Sequence, residues 1–366
     1  MEDISALFYF GLTPGAFAIV YFTVLVIASC AAAYYNQRSA FMMIFSLTLI
    51  SIIVGIIGGA NALSMIAVTA FVIAMAAMIS YAFREFMILI VSTEMAKELR
   101  TAPLTAAFGM FVIFIYSVAG IFAPWIAPYG EAEVIASAFA PADQNMLLGA
   151  DQLGRDMFSR LIYGTRNSVG LALTATLLAF IAGAFLGLLA ATKGGILDNF
   201  LGRLADVIMS IPSLIFALLM LSIFGPSMPV IIVAVSIIYA PRVFRLTRAV
   251  AGDVVVMDYI EAAKLRGEGN WYLIRREILP NSTAPLVAEF GLEFCFVFLL
   301  VAGLSFLGLG IQPPTADWGS MVRENATLIS FGEITPLIPA AAIALLTVGV
   351  NFVVDWMLHR SSGLKE

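Results

Sequence analysis

Residues 167–192 read NSVGLALTATLLAFIAGAFLGLLAAT, a run without a single Asp, Glu, Lys or Arg between Arg166 and Lys193. An α-helix rises about 1.5 Å per residue, so about 20 apolar residues cross a hydrocarbon core about 30 Å thick. This run is long enough to cross once. Working outward, residues 39–83, 207–241 and 294–316 are equally free of charge. Over the 366 residues, 61% are hydrophobic and 12% charged. A soluble domain is about 45–50% apolar and about 25% charged. A single water-soluble domain is therefore excluded, and the expected class is an all-α polytopic membrane protein.

The spacing predicts about nine transmembrane helices. The first covers residues 16–36, after a break at Pro14-Gly15, and residues 39–83 hold two more, turned at Gly58-Gly59-Ala60-Asn61. A fourth starts near Pro103 and ends by Pro128, and the fifth is the 167–192 run. The sixth and seventh divide 207–241 at Gly225-Pro226-Ser227-Met228-Pro229, the eighth covers about 285–309 and the ninth about 334–356. Residues 1–92 thus form an N-terminal region of three helices, 93–102 a cytoplasmic linker, and 103–358 a core of six helices. The core carries an outward loop, 129–165, and a cytoplasmic loop, 242–284, and the chain closes with a tail, 359–366.

Lys and Arg favour cytoplasmic loops. Arg38, Arg84, Lys97, Arg100, Lys193 and Arg203 share one side of a nine-span layout with the cluster from Arg242 to Arg276, Arg360 and Lys365. The N-terminus is then outside and the C-terminus cytoplasmic. Arg155, Arg160, Arg166 and Arg323 fall on the wrong side. The acidic start, Met-Glu-Asp-Ile-Ser, lacks the basic region of a cleaved signal peptide, so the N-terminus is expected to be retained.

Several functions are disfavoured. A net charge of −5 offers no basic surface for nucleic acid. His359 is the one histidine, and Cys30 and Cys295 lie inside apolar runs, so no His/Cys metal cluster is expected. A phosphate-cradling P-loop requires Gly-Lys, which occurs nowhere in the chain. No nucleophile–base constellation is visible, so a transport subunit rather than an enzyme is expected.

The cytoplasmic loop carries the strongest pattern. Residues 258–267, DYIEAAKLRG, combine good helix formers with a glycine suited to a left-handed helix end. Residues Trp271 to Ile278 predict a second short helix, stopped by Pro280. The bland interpretation is an interfacial linker. The small residues Ala262, Ala263 and Gly267 also suit a close-fitting docking element. Residues 261–267, Glu-Ala-Ala-x-x-x-Gly, followed by Leu279-Pro280-Asn281, resemble the EAA motif of ABC-importer permeases. Two further segments resemble the peptide-transporter branch: LGADQLGRD at 148–156, continuing to Ser159-Arg160 and Tyr163-Gly164, and LSFLGLGIQPP at 304–314 with Trp318-Gly319. The likeness covers about 103–358 and is to the second permease subunit of dipeptide, oligopeptide and nickel importers. Residues 1–92 have no counterpart there. Glu277 and Val301 stand where members often carry histidine and an acidic residue.

The resemblance implies an ABC type I importer permease core in the cell inner membrane, surrounded by lipid and working by alternating access. It implies a second permease subunit, two cytoplasmic ATPases that hold ATP and Mg, and an external substrate-binding protein. No cofactor or metal is implied on this chain. Glu261, Ala262, Ala263 and Gly267 would couple to the ATPase. Asp151, Arg155 and Asp156 would either dock the binding protein or form a local ion-pair knot. Peptides are the implied substrate.

Glu289 and Glu293 lie i, i+4 on one face of the eighth span. Charged groups inside spans usually face a cavity or a partner. They would line a translocation path that favours a cationic group, or pair with an Arg or backbone of the partner permease. Asp206 is expected to cap or pair with Arg203, and Pro212 to kink the sixth span. The alternative function is an ATPase-independent secondary transporter or channel, which would show ion relays and internal repeats. No repeat is visible.

Overall fold

A computed structural model describes Val24 and residues 62–331 and 335–361. The expected spans at 16–36 and 39–57, the glycine turn at 58–61, the outside N-terminus and the last tail residues lie outside the described residues. The chain divides into two compact units, residues 1–100 with 327–334, and residues 101–326 with 335–366. In the first unit, α1 (Ala62–Ile90) coincides with the expected third span, and α2 (Thr93–Thr101) is a short, mostly polar helix.

The second unit is helical, and its described residues hold no strand beyond two isolated bridges before Met157, Val134 with Arg155 and Ala150 with Asp156. Its helices are α3 (Leu104–Ile121), α4 (Met157–Lys193), α5 (Gly195–Met209), α6 (Ser213–Phe224), α7 (Met228–Val255), α8 (Asp258–Leu265), α9 (Asn270–Phe306), α10 (Trp318–Asn325) and α11 (Leu337–Ser361). Among the described residues five of these, α3, α4, α7, α9 and α11, are long and apolar enough to cross a membrane. The pair α5 and α6 adds a sixth only as one broken span, bent by 84°. The break falls at Ser210–Pro212, where proline withholds a backbone donor. The count of nine is thus approximate: the described residues of the core hold five candidate spans, or six if the bent pair is one.

Small residues set the packing. α4 lies against α7 along Ala172, Ala175, Ala179, Gly183 and Gly187, all buried. A Cβ on Gly183 would stand 2.4 Å from the Ala240 carbonyl oxygen, and one on Gly187 2.8 Å from that of Phe244. Side-chain-free contact of this kind lets helix backbones approach in lipid, where dispersion replaces the hydrophobic drive. Gly109 of α3 meets Gly349 of α11 in the same way, a Cβ there falling 2.2 Å from the Gly349 oxygen. The core proper is formed by α4, α6, α7, α9 and α11 around Phe294, Phe298, Leu304 and Trp318.

Three boundaries differ from expectation. α4 begins at Met157, ten residues before the charge-free run, through a π-turn at Thr165–Val169. α7 continues past Pro241 to Val255. Pro280 does not stop the helix before it, because a π-turn at Leu273–Ile278 joins directly onto Leu279 and carries α9 through. Proline clashes with the carbonyl of residue i−4 in a regular α-helix, and the wider π-turn shifts that carbonyl.

Candidate coupling, outer and intramembrane sites

α8 is eight residues long and ends in a Schellman turn. Gly267 has φ +84°, the Gly267 N–H donates to Lys264 O at 2.9 Å, and the Glu268 N–H donates to Ala263 O at 3.2 Å. Only a residue without Cβ takes this backbone freely. Ile260 and Ala263 are fully buried in a cluster with Leu188 of α4, Ala251 of α7 and Leu273, Ile274 and Ile278 of α9. Glu261, Ala262, Lys264 and Leu265 are exposed. The motif is therefore split: Ala263 anchors α8 to its own chain, while Glu261, Ala262 and Gly267 face outward. A Cβ on Gly267 would meet nothing within 4 Å.

Asp151, Arg155 and Asp156 are all at most 2% exposed. Asp151 Oδ1 accepts the N–H groups of Leu153 and Arg155, and Oδ2 takes Arg155 Nε at 2.7 Å and lies 3.2 Å from Arg160 Nε. Arg155 Nη2 then donates to Glu324 of α10 at 3.0 Å, and Arg160 Nη2 stands 3.6 Å from the same oxygen. Two guanidinium groups and two carboxylates close a charge-balanced square out of water. Asp156 caps α4, its Oδ2 accepting from Ser159 N at 2.8 Å and Ser159 Oγ at 2.6 Å. Around it, Glu131 Oε2 accepts from Asn167 and from Ala316 N, Ser168 Oγ donates to Asp317, and Trp318 Nε1 donates to Leu161 O across Gly164. This network ties the loop between α3 and α4, the start of α4 and α10 into one body.

Arg160, Glu324, Glu131, Asn167 and Asp317 were not singled out from the sequence. Arg160 and Glu324 lie more than 160 residues apart, and no periodicity links them. Their sole trace is that both 148–164 and 304–319 carry family-like segments. Within this pairing the charges of Arg155 and Arg160 are cancelled locally.

Glu289 is half-buried and Glu293 is 4% exposed, both on α9. Glu293 Oε1 lies 3.8 Å from Nη1 of Arg242 on α7. Arg242 is a second residue that the sequence reading placed only as a loop charge. The expected pair of Asp206 with Arg203 is not formed. Asp206 instead meets Arg245, and Asp198 meets Arg248, two ion pairs that lash α5 to α7. Among the described residues no group of His, Cys, Asp and Glu is arranged to hold a metal.

A broken-helix bundle, a short surface helix seated on three others and a braced outer loop define a class, and comparison places the chain in it. A family model described as "Binding-protein-dependent transport system inner membrane component" matches residues 183–362. The di/tripeptide transport system permease protein DppC of Pseudomonas aeruginosa is 34% identical over 254 residues, 68% of this chain and 84% of that protein. The probable D,D-dipeptide transport system permease protein DdpC of Escherichia coli is 33% identical over 258 residues, 70% of this chain and 86% of that protein. The glutathione transport system permease protein GsiD of Pectobacterium atrosepticum is 32% identical over 252 residues, 68% and 83% of the two chains. The chain belongs to the permeases of binding-protein-dependent ABC transport systems, and within them to the DppC-like branch. It is a multi-pass inner-membrane transport subunit.

Proposed function

We propose that this chain is one of two permease subunits of an ATP-driven importer for peptides or peptide-like solutes. A second permease completes the pathway, two cytoplasmic ATPases hold ATP and Mg, and an external binding protein delivers substrate. The N-terminus lies outside and the C-terminus in the cytoplasm. The observation that carries the proposal is the seating of α8, whose inner face is fixed by Ile260 and Ala263 while Glu261, Ala262 and Gly267 stay open to a partner. A helix held on one side and bare on the other suits the transfer of movement from an ATPase to the spans. The peptide-related names of the relatives support the substrate class.

Asp151, Arg155 and Asp156 serve the binding protein indirectly, by fixing the outer surface on which it lands. Glu289 and Glu293 line the translocation path. ATP-independent secondary transport finds no support in the family match.

Gly267→Asp tests the coupling role. An added Cβ meets nothing within 4 Å beyond its chain neighbours, and the left-handed backbone costs on the order of 1–2 kcal/mol, less for aspartate than for most residues. The expected result is a permease that inserts normally, copurifies less ATPase and loses uptake. Normal copurification with normal uptake would overturn the proposal.

A further inference from the structure

The intramembrane carboxylates face a basic group that the structure leaves underused. Glu293 is almost fully buried, its Oε2 receives no N–H or hydroxyl donor, and the carboxyl of Glu289 lies within hydrogen-bonding reach of it. Its Oε1 is 3.8 Å from Arg242 Nη1, too far for a hydrogen bond. Arg242 makes no hydrogen bond among the described residues, although a guanidinium carries five N–H donors. What holds it is aromatic: its Cζ stands 4.8 Å from the Phe296 ring centroid and 5.8 Å from that of Tyr239. Stacking engages the face of a guanidinium and leaves its N–H edge free for a planar two-oxygen acceptor. The Arg242 side chain is 43% exposed and Phe296 is 48% exposed, so both lie at the surface of the described α7 and α9. Glu289 sits one turn away on the Glu293 face of α9.

We infer that Arg242, Glu293 and Glu289 form a zwitterion subsite. The N–H donors of Arg242 take a carboxylate, and the adjoining Glu293 and Glu289 carboxyls together take an ammonium group. The ligand class is a short peptide with both ends free. The inference rests on the peptide reading above and adds to it a rule: the pathway itself examines both termini. An isolated acid pair would favour any cation, and an isolated arginine any anion. The juxtaposition of Arg242 with the buried acids favours a molecule carrying both signs.

The test uses the complete importer, both permeases with both ATPases, in lipid nanodiscs without binding protein. Three probes are compared by saturation-transfer NMR: trialanine, N-acetyl-trialanine and trialanine amide. A charge-assisted hydrogen bond contributes about 1.5–3 kcal/mol, so each blocked end is expected to weaken binding at least about tenfold. In Arg242→Gln the penalty for amidation disappears, and in Glu293→Gln the penalty for acetylation disappears. ATPase copurification checks assembly. If Glu293→Gln does not assemble, Glu289→Gln, at a half-buried position, carries the same expectation. Equal binding of all three probes by the wild type, or unchanged discrimination in the variants, overturns the subsite. Uptake with the binding protein added separates the two readings. Import of trialanine with equal binding of the probes refutes the subsite alone, whereas neither import nor binding of trialanine refutes both.

Discussion

Gly183 and Gly187 decide how near α4 and α7 can come, because the carbonyl oxygens of Ala240 and Phe244 occupy the space where side chains would be. Backbone cannot step aside as a flexible side chain can. Gly183→Leu is therefore expected to cost about 1–3 kcal/mol or more, read as a lower thermal midpoint of the purified complex. Gly170 is the control: it lies in the same helix with φ −62°, and a Cβ added there would meet nothing within 4 Å. A second residue-scale prediction concerns the outer square of charges. Asp151 receives both arginines, so Asp151→Ala leaves two buried cations to share Glu324 alone, and removal of one partner from a buried pair costs about 3–5 kcal/mol. Glu324→Ala leaves Asp151 in place and is expected to cost less. A double-mutant cycle between the two sites, followed by thermal unfolding, should give a coupling well above the few tenths expected of independent positions.

At the scale of elements, the π-turn in α9 is the feature with the clearest consequence. A π-bulge amounts to one residue inserted into an α-helix, and each residue turns the helix by about 100°. Deleting Arg275, an exposed residue within the turn, should convert it to regular helix and rotate everything before it relative to the core. The expected outcome is a permease that still inserts and assembles, with basal ATPase activity that the loaded binding protein no longer stimulates. Retained stimulation would contradict the importance of the register. The element boundaries also show what the sequence could and could not disclose. Spans were legible because a charge-free run of about 20 or more residues has one good explanation. Their ends were not, because the helices run on through charged residues whose partners are remote. Arg160 inside α4 is neutralised by Asp151 and Glu324, and Arg242, Arg245 and Arg248 inside α7 meet Glu293, Asp206 and Asp198. From one sequence those arginines look like the end of a span. In the fold they are paired, and the helix continues. The short helix and its glycine end were legible from composition and glycine placement, but the division into a buried Ala263 and an exposed Ala262 depends on which helices lie beneath it.

For the whole molecule, the division of the chain near residue 100 sets the expectation for truncation. Relatives are matched over about seven tenths of this chain, and the family model begins only at residue 183. Deleting residues 1–92 while keeping Thr101 onward is expected to lower uptake in part, with the complex still assembled. Complete loss of uptake in an assembled complex would show that the N-terminal region takes part in transport itself. The same scale gives the seating of α8 its meaning. Ile260 and Ala263 rest on the ends of three separate helices at once, as a footplate rests on three legs. A load on such a plate cannot tip one leg without moving the others. The stroke of the motor should therefore reach the bilayer as a rocking of α4, α7 and α9 together, and the flexible joint should lie elsewhere, at the proline break between α5 and α6.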